Sequence, residues 1–275
     1  MVEKDIQFRE KRGMGDVIND SFIFLKQEAK PLFRLTLIYV LPFILMYAVV
    51  QVMVQQKMMG VLNMADPDSF IANMGSFYLN LFVTMFFNVF VQSLYIGVAY
   101  SYIEVYIEKG RGNFNMHDIT PLLFSNSLLA LAINIALFIM VMFGTMLCLV
   151  PGIYLANTFS ISIIALILEK KGLGNALSRS WKLVNHQWWN TLVINLLGLA
   201  IILLAGIIFS IPTLIGKFPS PVLGMDDTSS AIGLPNWYWM LSGINTVVSS
   251  LLYIIVYVFL AFQYFNLDER TKTDN

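Results

Sequence analysis

Apolar runs long enough to cross a bilayer recur along the whole of this 275-residue chain. A spanning helix needs about 20 mainly apolar residues to cover roughly 30 Å of hydrocarbon. Leu35–Val54 (LTLIYVLPFILMYAVVQVMV) meets that length, and Pro42 is expected to kink it. Further runs lie at 77–107, 128–150, 153–168, 189–215 and 237–265. The fourth is short and follows the third directly. Pro151–Gly152 is the only punctuation between them, so the two are expected to form a tight helical hairpin about that pair. Only 12% of residues are charged, against about 25% in soluble domains. The expected fold is an all-α polytopic membrane helical bundle with six transmembrane helices, a single integral membrane domain over 1–275. Met1–Arg34 is too long and too mixed in charge for the start of a signal peptide, so the first span is expected to remain in the mature protein.

The basic residues set an orientation. Lys4, Arg9, Lys11, Arg12, Lys26, Lys30 and Arg34 precede the first span. Lys109 and Arg111 follow the second, and Lys170, Lys171, Arg179 and Lys182 follow the fourth. Arg270 and Lys272 follow the sixth. A six-span topology puts all of these on one face and leaves only Lys57 and Lys217 on the other, with Asp66, Asp68, Asp226 and Asp227. Cytoplasmic loops carry the excess of Lys and Arg, so both termini are expected in the cytoplasm. Five or seven spans would split the clusters. Trp188, Trp189, Trp237, Tyr238 and Trp239 fall at span ends, where aromatic rings meet both apolar and polar surroundings.

Two basic amphipathic helices are expected beside the spans. Over 173–188, Leu173, Leu177, Trp181, Val184 and Trp188 recur at helical spacing, opposite Arg179, Lys182, Asn185 and His186. Over 14–30, Val17, Ile18, Phe22 and Leu25 form a similar stripe. Basic helices of this form lie in the membrane interface, apolar side down. At an offset of 159, Gly15 matches Gly174, Ser21 matches Ser180 and Phe22 matches Trp181. This is either a weak same-orientation repeat or the common appearance of interfacial helices. In the first case 115–124 is a degenerate third copy, shortened by Pro121.

The stretch PGIYLANTFSISIIALILEKKGLGNALSRSWKLVNHQWWNTL (151–192) places a PGIYL hairpin, an outgoing "LE" and an "AL-RSW-L" helix in series. It resembles the membrane domain found with some bacterial glycerophosphodiester phosphodiesterases and with related stand-alone multi-span proteins of uncharacterised function. RGMGDVINDSFIFLKQEAKPLF (12–33) resembles the same family's N-terminal helix. The layout agrees over nearly the whole chain, the motifs over about sixty residues. The catalytic domain that some relatives carry has no counterpart here, so the resemblance does not imply that activity.

Chemistry-bearing motifs are few. HExxH, GxSxG, P-loop and GxGxxG patterns are absent from the sequence. His117 and His186 read as solvated interfacial residues, and Ser178 with Lys182 as surface polarity. No metal, cofactor or catalytic residue is expected. The single Cys148 reads as a small buried hydrophobe. Within the spans lie Asn88, Gln92, Asn134, Asn157, Asn195 and Asn245. They either line a polar cavity or hydrogen-bond between helices, and the second is the expectation. Glu104 and Glu169 fall near span ends, within reach of water. Ser93, Gly97 and Ser101 repeat every four residues and are expected to let helices pack closely.

With zero net charge, no nucleic-acid partner is implied. The function expected is that of a non-enzymatic membrane-organising or accessory protein. It would bind membrane lipids, and a membrane protein complex is a further partner class. The headgroup candidates are Lys26, Lys30, Arg34, Lys170, Lys171, Arg179 and Lys182. The alternative is a transporter or channel for a lipid or small solute, and an intramembrane enzyme is the weakest reading. The loop at 216–236 reads as a docking surface or as a connector.

Overall fold

A computed structural model describes the backbone of residues 6–62, 67–215 and 236–273, and the side chains of 6–58, 73–211 and 236–272. The chain runs α1 (Met14–Gln27), α2 (Ala29–Tyr39), α3 (Leu41–Leu62), α4 (Pro67–Lys109) and α5 (Met116–Leu147). It continues as α6 (Leu149–Thr158), α7 (Ser162–Glu169), α8 (Leu173–Asn185), α9 (Trp188–Ile215) and α10 (Asn236–Thr273). Among the described residues there is no strand. Among the described residues, six segments are long and apolar enough to span a membrane: Leu41–Met58, Asn73–Lys109, Met116–Leu147, Leu149–Glu169, Trp188–Ile211 and Asn236–Lys272. The protein is an all-α, multi-pass membrane bundle. The loop at 216–235 with Lys217, Asp226 and Asp227, and also Asp66, lie outside the described residues.

Helix boundaries differ from the sequence reading in four places, each for a local reason. The first apolar run is divided at Val40, so 35–39 belong to α2 and the span begins at Leu41. Pro42 therefore occupies the first turn of α3, where its missing N–H needs no partner. The turn between the third and fourth spans falls at Cys148, whose backbone is extended (φ −171°, ψ 155°). Pro151 and Gly152 lie inside α6 instead, Pro151 again in a first turn. Gly152 serves as a contact surface: a Cβ there would come within 2.1 Å of Thr145 Cγ2 and 3.1 Å of Thr145 Cα. Cys148 is exposed at this turn, not buried. The fourth span is two helices, α6 and α7, and the Ser160 and Ser162 hydroxyls donate to the Asn157 and Phe159 carbonyls at the break (2.8 and 2.6 Å). Finally, 115–124 is no separate surface helix. It is the continuous start of α5, with Pro121 inside it.

The chain forms two compact units, 1–40 with 92–200 and 253–275, and 41–91 with 201–252. In the first, the core is aromatic. Phe8 stacks on Phe262 (4.6 Å between ring centroids) and meets Phe24, Tyr106 and Phe265 edge-on. Aromatic pairs of this geometry add about 0.5–1.5 kcal/mol each beyond their buried area. In the second, α3 meets α4 through Phe43 and Phe90 (5.5 Å) and meets α10 through a hydrogen bond from Ser242 to Gln55 (2.8 Å).

Three helices in the first unit share one burial register. Gly13, Asn115 and Gly172 are the extended N-caps of α1, α5 and α8 (ψ 163°, 169° and 161°). Four, eight and eleven residues further on, each helix buries its side chains: Val17, Ser21 and Phe24; Ile119, Leu123 and Asn126; Ala176, Ser180 and Leu183. Asp16 and Asp118 each accept from their own N-cap N–H (3.2 and 2.9 Å), where α8 has Asn175. The helices are thus matched in burial register.

The stripe Ser93–Gly97–Ser101 of α4 faces α5. Ser93 accepts from Asn134 (3.0 Å), Ser101 accepts from Asn126 (2.9 Å), and a Cβ on Gly97 would lie 1.9 Å from Ser127 Oγ and 2.9 Å from the Leu123 carbonyl. Gly97→Val should therefore destabilise the protein by about 1–3 kcal/mol, the usual cost of overpacking. Thermal unfolding in mild detergent should show a lowered midpoint, while Gly75→Ala, with open space at its Cβ and a better helix former in place, should not lower it. Equal midpoints for Gly97→Val and the parent would show that this contact is not formed.

Candidate functional site

Every described amide expected within the spans has a protein partner. Asn88 donates to the Tyr47 hydroxyl (3.3 Å), and Gln92 accepts from the Tyr257 hydroxyl. Asn134 donates to Ser93 (3.0 Å), Asn195 to Asn157 (2.9 Å) and Asn157 to the Trp188 carbonyl (3.0 Å), while Asn245 accepts from Ser249 (3.4 Å). Such bonds average about 0.6 kcal/mol in membranes. These partners make five of the six amides helix-to-helix ties, while Asn245 is bonded within its own helix. His117, His186 and Ser178 are exposed, and no cluster of potential metal ligands forms among the described residues.

The basic segments hold the largest concentration of charge, all of it described in the first unit except Lys57, which is in the second. Carboxylates near helix ends take up several of these cations. Glu169, closing α7, accepts from Arg179 of α8 (3.0 Å), from Lys171 (3.1 Å) and from the Tyr264 hydroxyl of α10 (2.9 Å). Arg179 also binds Asp268 of α10, which pairs with Lys272 (2.7 Å). Burial pulls the Arg179 guanidinium down, but its hydrogen bond to Glu169 and the two adjacent carboxylates outweigh this and raise it, so it stays charged. Glu104 of α4, nearly enclosed, accepts from Asn126 (3.1 Å) and pairs with Lys170 (3.0 Å), whose ammonium this contact holds above the ordinary lysine range.

Two further pairs were not legible as sites. Glu28, at the bend between α1 and α2, accepts from the buried Tyr102 hydroxyl and from Arg111 (2.8 Å). Arg12, buried, pairs with Asp20 (2.7 Å), donates its N–H to Asn266 of α10 (2.8 Å), and accepts from Arg270 at its carbonyl (2.6 Å). The available signal was an acid placed between apolar runs, as at Glu28 and Asp268. A lone acid in that position names no partner.

The seven expected headgroup residues therefore separate. Lys170, Lys171 and Arg179 are held in ion pairs. Lys26, Lys30, Arg34 and Lys182 are exposed and have no carboxylate within ion-pair distance among the described residues. Lys26, Lys30 and Arg34 follow one another along α1 and α2; Lys182 is on α8 beside the exposed Trp181.

No family model, curated protein or solved structure matches the chain.

Removing Arg179 leaves the carboxylates of Glu169 and Asp268 without their main partner. The pair sits at a partly exposed position (28% for the Arg179 side chain), so the loss should fall near or below the low end of the 3–5 kcal/mol seen for buried pairs, about 2–3 kcal/mol. Arg179→Gln should lower the unfolding midpoint in detergent, Asp268→Asn should restore part of the loss in the double variant, and Lys182→Gln should change nothing. An Arg179→Gln protein as stable as the parent contradicts the network's role.

Proposed function

We propose that the protein is a non-enzymatic membrane-organising or accessory subunit that binds anionic lipids through its exposed basic side chains. In this reading it lies in the inner membrane of a bacterium with both termini cytoplasmic. The observation that carries it is the division of the cations: three are consumed in ion pairs, while Lys26, Lys30, Arg34 and Lys182 remain exposed beside spans. A basic residue near an anionic surface contributes about 1 kcal/mol, so each such contact favours an anionic over a zwitterionic lipid about fivefold. The attraction weakens beyond about 8 Å at physiological salt, which suits lipids in direct contact. The likeness to the membrane domain that accompanies glycerophosphodiester phosphodiesterases, a lipid-metabolic setting, agrees with this reading.

Purified protein reconstituted in mixed phosphatidylglycerol–phosphatidylcholine vesicles tests it. Spin-labelled phosphatidylglycerol should be motionally restricted several-fold more than spin-labelled phosphatidylcholine, and the preference should shrink in 0.5 M salt or after Lys26, Lys30, Arg34 and Lys182 are all changed to Gln. Equal restriction of the two lipids by the parent protein would sink the proposal.

A further inference from the structure

A recess of about 320 Å³ opens between α2 and the start of α5. Its volume falls near the lower end of the range for small-ligand pockets, about 300–1,000 Å³. Lys30 and Arg34, one helical turn apart, stand at its edge, both exposed and neither ion-paired among the described residues. Two carboxylates lie close by and neither offsets them: Arg111 and the Tyr102 hydroxyl occupy the oxygens of Glu28, and Asp118, which accepts from the Asn115 N–H, is paired with Lys109 (2.8 Å). The recess is thus net cationic. Its walls are of another kind: Leu35 and Ile119 are buried and apolar, and Tyr102 packs edge-on against Phe114 (5.3 Å).

Beyond the recess both helices present large exposed apolar side chains. On α2, Ile38 follows Arg34 by one turn and is 51% exposed. On α5, Phe124 and Leu128 follow Thr120 at one-turn steps and are 60% and 69% exposed. Tyr39 ties the helices here, its hydroxyl bonded to Thr120 (2.9 Å) and its ring meeting Phe124 edge-on. A molecule fitting this surface carries an anion at one end and a hydrocarbon tail at the other.

We infer that this recess is a defined site for one anionic phospholipid, its phosphodiester between Lys30 and Arg34 and its acyl chain along Ile38, Phe124 and Leu128. The assignment rests on the lipid-binding reading above and narrows it to one place. Phosphate is the shared chemistry of lipid headgroups and soluble phosphate esters. The apolar walls and the exposed apolar track select the lipid, since a soluble ester has nothing to place there. Lys30 and Arg34 form the site, whereas Lys26 and Lys182 contribute only a diffuse field.

Native mass spectrometry of the full chain, released from phosphatidylglycerol-containing micelles, tests this directly. The parent should retain one phosphatidylglycerol. Lys30→Gln/Arg34→Gln should reduce retention on the order of tenfold, as the loss of two cations at a surface implies. Met116→Trp, which fills the recess and leaves every charge in place, should do the same, and folding of each variant is checked by its unfolding midpoint. Lys26→Gln/Lys182→Gln should retain the lipid. Equal loss in both charge variants, with Met116→Trp still binding, overturns the site while leaving the general lipid preference standing. No preference over phosphatidylcholine in any protein overturns both. Displacement by millimolar inorganic phosphate or glycerol phosphate as effective as by added phosphatidylglycerol overturns the lipid assignment.

Discussion

Charge that has to stay out of hydrocarbon organises this molecule. A charged side chain at the centre of a bilayer costs several kcal/mol, so a chain of six apolar spans must gather its cations at span ends. Here that requirement extends to the carboxylates. Glu28 joins two helices, Glu169 closes one, Glu104 and Asp268 lie in the last turns of theirs, and each finds a cation from a different segment. Without those pairs, four acids would be nearly buried beside apolar helices. With them, α4 is fixed to Lys170 at the end of α7, and α7 and α10 are both fixed to Arg179 of α8. The aromatic core around Phe8, Phe24 and Phe262 then packs on a frame already tied by charge.

The interior of the spans follows a milder version of the same rule. Most of the span amides are paired across helices, as Asn134 with Ser93 and Asn195 with Asn157. Small residues let the helices come close enough for those bonds, most tightly at Gly97 and Gly152. Packing and polar satisfaction therefore act at the same contacts. This leaves the exposed cations as the groups whose fold-level role is smallest, and the lipid-binding proposal builds on them.

Much of the fold was legible in the sequence because length and hydropathy leave few alternatives to a spanning helix. The six spans and both amphipathic helices follow from apolar periodicity alone. The details that escaped depend on tertiary contact. Pro151–Gly152 reads as a turn from composition, yet Gly152 is used for its missing Cβ against Thr145 while the turn falls at Cys148. Pro121 reads as a break, yet α5 runs through it. At the basic ends, residue type showed which groups are charged but not which are already paired. Arg179 and Lys182 are three residues apart, and only the fold shows that one is held by Glu169 and Asp268 while the other is free. The register shared by α1, α5 and α8 was half visible as an offset between two of them.

The account depends on the described basic segments sharing one side of the membrane, opposite Lys57. Single cysteines introduced at Lys26, Lys182 and Lys57 in a Cys148→Ala background, exposed to a membrane-impermeant maleimide on intact spheroplasts, measure this directly. The account predicts immediate labelling at position 57 and protection at positions 26 and 182 until the membrane is opened. Labelling of 57 and 182 together, or of 26 without 182, would contradict it.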